Sequence, residues 1–226
     1  MNDIFEKISS AKYVVIVVKE ESLLPSASAL YSHILRLHKK VSLVCEKNIV
    51  DKKFSFLPWF EKIRETLPSS ADLVIELDTR AYQLYSFFKS NNIKPNQKMA
   101  TALYASMLVE YDGFVGGDAD GMVFATASEL MACGADYKLC NKFIIKRTTL
   151  ATFRLKSLML KNMLLQENAT KAVFSICDDD LKSTGTTLKD AKSIIKEVLG
   201  LEYVEVVVLI KSDENDKILK IIDKEI

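Results

Sequence analysis

The run Tyr13-Val14-Val15-Ile16-Val17-Val18 constrains the fold more than any other feature of the sequence. Its apolar residues are consecutive, mostly β-branched and bounded by polar ones. Such a run is too short for a helix and fits a strand buried on both faces. From Leu24 to Leu37 the pattern changes period: Leu24, Ala27, Leu30, Ile34 and Leu37 fall on one face of a helix. Residues 41–45 (VSLVC) predict a second strand. Strand, helix and strand in so short a span form a βαβ unit with parallel strands and a right-handed crossover.

Pro58 can open a short helix at Trp59, which Pro68-Ser69-Ser70 breaks. Residues 73–77 (LVIEL) predict a third strand, with Asp78-Thr79 at its carboxyl end. Open parallel sheets place ligand-binding groups at that end. Helices are expected over 81–90, 97–110, 124–133, 137–145 and 149–163, with Gly134 as a left-handed stop for the third and a Gly/Asp loop over 111–121. Near Leu165 a second pattern begins: strand 172–177, helix 189–199, strand 203–210. The expected class is α/β: a parallel-sheet lobe over 1–148, a connecting helix over 149–164 and a small α/β lobe over 165–226.

Thirty-one basic and 30 acidic residues leave a formal net charge of +1. That balance carries no electrostatic footprint for duplex nucleic acid, although a short nucleotide in a local cleft stays open. No apolar run approaches the roughly 20 residues of a membrane helix, and the amino-terminal MNDIFEKISS lacks the apolar core of a secretion signal. Cys45, Cys133, Cys140 and Cys177 form no CxxC pair and read as buried thiols in a reducing cytosol. A cytoplasmic protein without membrane contact is the expectation.

The most specific block runs from Met99 to Asp136. Ala100, Leu103, Tyr104, Leu108 and Phe114 fall in one register, and Ala127, Leu130, Gly134, Ala135 and Asp136 close a second helix. This block resembles the fourth motif region of the DHH phosphoesterase family, which includes nanoRNases, pAp phosphatases and RecJ-like exonucleases. YVVIVV, SASALYSHIL, VSLVC and LVIELDT resemble that family's first and second motif regions in order. The last lobe resembles a shortened DHHA1 substrate-binding domain. The resemblance implies a two-lobed fold and a pair of metal ions, usually manganese, that activate water against a phosphoester. It also raises the expectation of a homodimer.

Two cations about 3.5–4 Å apart need several carboxylates and histidines around them. The family's first motif, His-x-x-Pro-Asp-x-Asp, is replaced by Lys19-Glu20-Glu21-Ser22-Leu23-Leu24-Pro25. A lysine at the mouth of such a site repels cations or takes their place. Asp78 matches the second motif. The Asp-His-His motif is missing, as if its strand were deleted, and Glu110 stands where the fourth motif has Asp, with Asp112 in the following loop. His33 and His38 share no helix face. The chain reaches Ile226 without the Gly-Gly-Gly-His segment that grips substrate phosphate in the family.

The residues of interest keep two readings each. Asp78, Glu110 and Asp112 are residual metal ligands, or else a helix cap and solvated loop carboxylates. Thr184, Gly185 and Thr186 present backbone N–H groups to a phosphate, or form a plain loop before an N-cap at Thr187. Residues 116–121 (GGDADG) invite calcium but lack the EF-hand spacing, and Asp178-Asp179-Asp180 caps the turn that follows it. Tyr82, Tyr85, Phe87 and Phe88 resemble a base-stacking set, yet their helical spacing puts core or interface first. The first functional reading is a phosphoesterase-like protein that has lost its hydrolytic centre, needs no cofactor and serves in binding or scaffolding. Such a chain could retain nucleotide recognition between its lobes and would have a protein partner or a second copy. Its exposed apolar patch would lie on the Tyr82–Phe88 helix or at Trp59 and Phe60. The alternative is an active Mn- or Mg-dependent phosphoesterase on short oligonucleotides or pAp-like nucleotides, with Glu20 or Glu21 completing the site.

Overall fold

A computed structural model describes residues 2–45, 50–115 and 118–224. Two units are distinguished, Met1–Arg147 and Thr148–Ile226.

In the first unit, helix α1 (Asn2–Ser10) precedes β1 (Tyr13–Val17), α2 (Leu24–Arg36), β2 (Lys40–Val44), β3 (Ile63–Arg64) and β4 (Leu73–Glu76). Helices α3 (Ala81–Ser90), α4 (Gln97–Glu110), α5 (Gly121–Ala132) and α6 (Tyr137–Cys140) complete it. The four strands form one parallel sheet in the order β3-β2-β1-β4. β1 and β2 are the two strands with neighbours on both sides, and both are largely buried, as their apolar runs allow. Val14, Ile16 and Val18 enter the main core, while Tyr13 and Val15 join Val44 in a small cluster on the opposite face. The Asp72 carboxylate accepts from the N–H groups of Lys12 and Tyr13 (3.0 and 2.8 Å), which fixes where β1 and β4 begin together.

Helices α2 and α4 pack on each other and are buried along most of their length. Serine hydroxyls are tolerated there because each is paired. Ser26 Oγ meets Ser106 Oγ at 2.8 Å, Ser28 donates to the Pro58 carbonyl, and Ser32 donates to the Ser28 carbonyl. Asn96 accepts from the Met99 N–H and starts α4. Gly134 ends α5 at φ +89°, as its position after the periodic run predicts.

Several expectations are corrected. The helix expected at Trp59 is absent: Trp59 is left-handed (φ 68°) and only the 3-10 turn Phe60–Lys62 follows. Its indole N–H donates to Ser32 Oγ at 2.8 Å, so a tertiary contact sets its backbone. The 137–145 helix continues past Cys140 as a π-turn over Asn141–Ile145. The aromatic set does not make a surface patch, because Tyr85, Phe87 and Phe88 are buried. Phe5 of α1 stacks on Phe87, with centroids 3.7 Å apart. Gly116 and Gly117 of the calcium-like segment lie outside the described residues. Asp120 of that segment caps α5, accepting from the Val123 N–H.

The second unit contains α7 (Leu150–Lys161), β5 (Leu164–Gln166), β6 (Lys171–Ile176), α8 (Asp178–Thr184), α9 (Leu188–Val198), β7 (Val206–Lys211) and β8 (Lys217–Asp223). Its sheet order is β5-β6-β7-β8, with a parallel central pair and antiparallel edges. Alternation along β6 sends Ala172, Phe174 and Ile176 into a core with Leu155 and Met159 of α7 and Ile194, Ile195 and Val198 of α9. The turn expected at Asp178-Asp179-Asp180 is the start of α8, where Asp180 accepts from the Cys177 N–H at 2.9 Å. All four cysteines are free thiols; Cys45 and Cys140 are buried as expected, whereas Cys133 and Cys177 are only partly buried. Among the described residues no helix is long and apolar enough to cross a membrane.

Candidate functional site

The strand order determines where a site can form. The chain leaves β1 toward β2 on one side and returns to β4 on the other. The carboxyl ends of β1 and β4 therefore diverge into a crevice. A cavity of about 530 Å³ lies there. Lys19 and Glu20 enter it from the end of β1, and Ser22 and Leu23 from the turn after it. Glu76, Leu77, Asp78 and Arg80 come from the end of β4, and Ser106, Val109 and Glu110 from the last turn of α4.

Two of its four carboxylates, Glu76 and Glu110, lie beside the protein's own cations. Lys19 Nζ lies 2.6 Å from Glu76 Oε2. Arg80 Nη1 lies 3.9 Å from Glu110 Oε1. Glu110 is the most enclosed, with 13% of its side chain exposed. Burial raises its pKa above the ordinary carboxylate value, while Arg80 and the Ala81 N–H pull it back. Its second oxygen, Oε2, is buried and has no hydrogen-bond partner. Asp78 is exposed and accepts from the Thr79 hydroxyl at 3.1 Å. It does not cap α3, whose N-cap is Arg80 without a side-chain bond.

The structure thus brings Asp78 and Glu110 to one cavity and adds Glu20. Asp112 does not line it; this exposed residue sits after α4 at φ 45°. Glu21 is also outside, where its carboxylate accepts from the Asp51 N–H. Among the described residues no three His, Cys, Asp or Glu side chains meet in an arrangement that could hold a metal ion. His33 is remote from the crevice, buried in α2 against the rings of Phe5 and Phe88.

In the second unit, Thr184, Gly185 and Thr186 end α8. The Gly185 N–H donates to the Lys182 carbonyl and the Thr186 N–H to the Leu181 carbonyl. Thr184 Oγ1 meets Thr186 Oγ1 at 2.7 Å. Thr187 is the N-cap of α9, and its N–H donates to Asp190. The backbone donors of the turn are spent on ending one helix and starting the next.

Sequence reasoning missed Glu76 and Arg80. The first had a signal: residues two apart on a strand share a face, so Glu76 accompanies Asp78. Arg80 had none, because its role depends on where α4 ends in space.

No family model matches this sequence, and no curated protein matches it. Solved structures do. The chain is similar to an exopolyphosphatase-related protein of Bacteroides fragilis, with a TM-score of 0.76 at 13% identity, over 96% of this chain and 80% of that one. A protein of Methanococcus jannaschii described as a family II inorganic pyrophosphatase aligns at 11% identity over 88% of this chain and 83% of that one, with a TM-score of only 0.34. The first likeness shows that this chain shares the fold of that exopolyphosphatase-related protein.

Proposed function

We propose that this chain is a non-catalytic, phosphoesterase-like binding protein in which side-chain cations occupy the place of catalytic metal ions. The observation that carries this reading is the Lys19–Glu76 pair, backed by Arg80 beside Glu110. A two-metal centre needs carboxylates and histidines free to converge on cations. Here two of the four cavity carboxylates already face a side-chain cation, and those cations add positive charge where a metal pair would have to sit. The residues therefore do not fit a dinuclear metal centre. The cavity keeps its place at the switch point of the sheet, and its polar lining supports a small ligand such as a nucleotide.

The test is hydrolysis of short RNA, pAp and bis-p-nitrophenyl phosphate with Mn²⁺ or Mg²⁺ present. No turnover above the protein-free rate is expected. Metal-dependent turnover that disappears in Asp78→Ala would overturn the reading and install an active phosphoesterase instead.

A further inference from the structure

The chain is nearly neutral, but its charge is not evenly spread. Between Asp136 and Glu167 it carries Lys138, Lys142, Lys146, Arg147, Arg154, Lys156 and Lys161 and no acidic residue. The first part of this stretch, α6 and the π-turn after it, lines a separate cavity in the first unit. That cavity is about 560 Å³ and is bounded by Gly113, Tyr137, Lys138, Asn141, Lys142, Ile145 and Lys146. It shares no lining residue with the crevice at the sheet edge.

Three features point to an anionic occupant. The first is unmet charge. Lys19, Lys89, Lys171, Lys211 and Lys217 each hold a carboxylate. Among the described residues Lys138, Lys142 and Lys146 hold none, although all three are exposed and line one cavity.

The second is helix geometry. In an unbroken α-helix Lys146 would sit about 80° around the axis from Lys138. The chain instead underwinds, with the Lys146 N–H donating five residues back to the Asn141 carbonyl at 3.0 Å. That turn brings the third lysine back toward the face of the first two. Wide turns of this kind are rare and concentrate at functional sites.

The third is the floor. Gly113 has φ +70°, and a Cβ there would stand 2.8 Å from Ile145 Cδ1, so the loop after α4 closes against the π-turn. Tyr137 and the Asn141 amide supply neutral hydrogen-bonding groups beside the lysines.

Lysine ammonium groups act as point charges toward phosphate oxygens, and three on one cavity suit a ligand with several of them. We propose that this cavity binds a ligand carrying two or more phosphate groups, held by Lys138, Lys142 and Lys146 together. The ligand's source is either a free oligophosphate or the backbone of a short single strand.

Titration calorimetry with inorganic tripolyphosphate, with orthophosphate, and anisotropy with a short labelled oligonucleotide test it on the full chain. Tripolyphosphate should bind, and orthophosphate should bind at least roughly tenfold more weakly. The Lys138→Ala/Lys142→Ala/Lys146→Ala variant should lose affinity by roughly tenfold or more. For the strand, three phosphate contacts predict a log–log salt slope of about −2, which this variant should abolish. The corresponding triple arginine variant keeps the charge and should retain binding. All three lysines are exposed, so an unchanged circular dichroism spectrum and melting temperature will show that the alanine variant folds. A strand that binds no tighter than tripolyphosphate assigns the site to phosphates alone; one that binds tighter, and still depends on the lysines, adds base contacts at Tyr137. No tripolyphosphate binding at millimolar concentration, equal affinity for orthophosphate, or binding that survives the alanine variant overturns the proposal.

Discussion

A carboxylate at the end of a buried helix has to find donors or take up a proton. Glu110 has Arg80 and the Ala81 N–H near it, but its Oε2 has nothing. Because burial raises its folded-state pKa, the native protein holds this proton more tightly than the unfolded chain does. That stabilisation is present below the unfolded value and is lost as pH rises through the folded one. Glu110→Gln should therefore raise the melting temperature at pH 7 and leave it unchanged near pH 3. A gain of about 1 kcal/mol, or about 2–4 °C, is the scale for relieving one unmet buried group. Thermal denaturation at the two pH values checks both halves. His33 shows the opposite linkage. Burial, with Arg36 adding like charge, lowers its pKa from 6.5 to about 4, and its Nδ1 is buried without a partner. The unfolded chain takes up this proton first, so stability falls as pH drops from about 6.5 to about 4. The full difference is about 3 kcal/mol. Urea denaturation across that range should show a slope that His33→Phe flattens.

The helices 81–90 and 97–110 lie where their periodicity places them, and the main strands of both sheets do so to within a few residues. Five elements were not legible as elements, each for a local reason. β3 has two residues and exists by pairing with β2 at Leu43 and Val44. β5 likewise is short and pairs only with β6. β8 (KILKIID) is an edge strand whose lysines and aspartate interrupt alternation, as exposed edges require. α8 is a seven-residue helix that opens on three aspartates, which suit a first turn as well as a loop. α1 has helical amphipathicity over only nine residues, too few for its period to stand out in the sequence. Capping explains why α4 was readable: Asn96 precedes its first turn. Asn96→Ala should cost about 1 kcal/mol in chemical denaturation, since the Met99 N–H loses its acceptor in a helix buried on nearly every side.

At the scale of the whole molecule, the α/β fold shared with the exopolyphosphatase-related protein was legible through the Met99–Asp136 block and the order of strands around it. The site was half legible. Asp78 and Glu110 meet in one cavity, but what confronts them, Lys19 pairing with Glu76 and Arg80 reaching Glu110, arises from converging ends of elements far apart in sequence. Association was expected from the aromatics of α3, and these turn out to be core. Among the exposed apolar residues of the first unit are Met122, Phe124 and Met131 of α5, and Met122 lies on the opposite side of that helix from the other two. The one charged side chain of α5, Glu129, is already engaged by Lys89 and Tyr85.

Manganese binding measured by calorimetry tests the central claim most directly, with the wild type beside Lys19→Ala/Arg80→Ala and Asp78→Ala/Glu110→Ala. If side-chain cations stand in for metal ions, the wild type gives no binding heat at millimolar Mn²⁺, and removing Lys19 and Arg80 frees Glu76 and Glu110 to bind it weakly. Tight binding by the wild type that vanishes in Asp78→Ala/Glu110→Ala would contradict the account and restore a metal centre to the crevice.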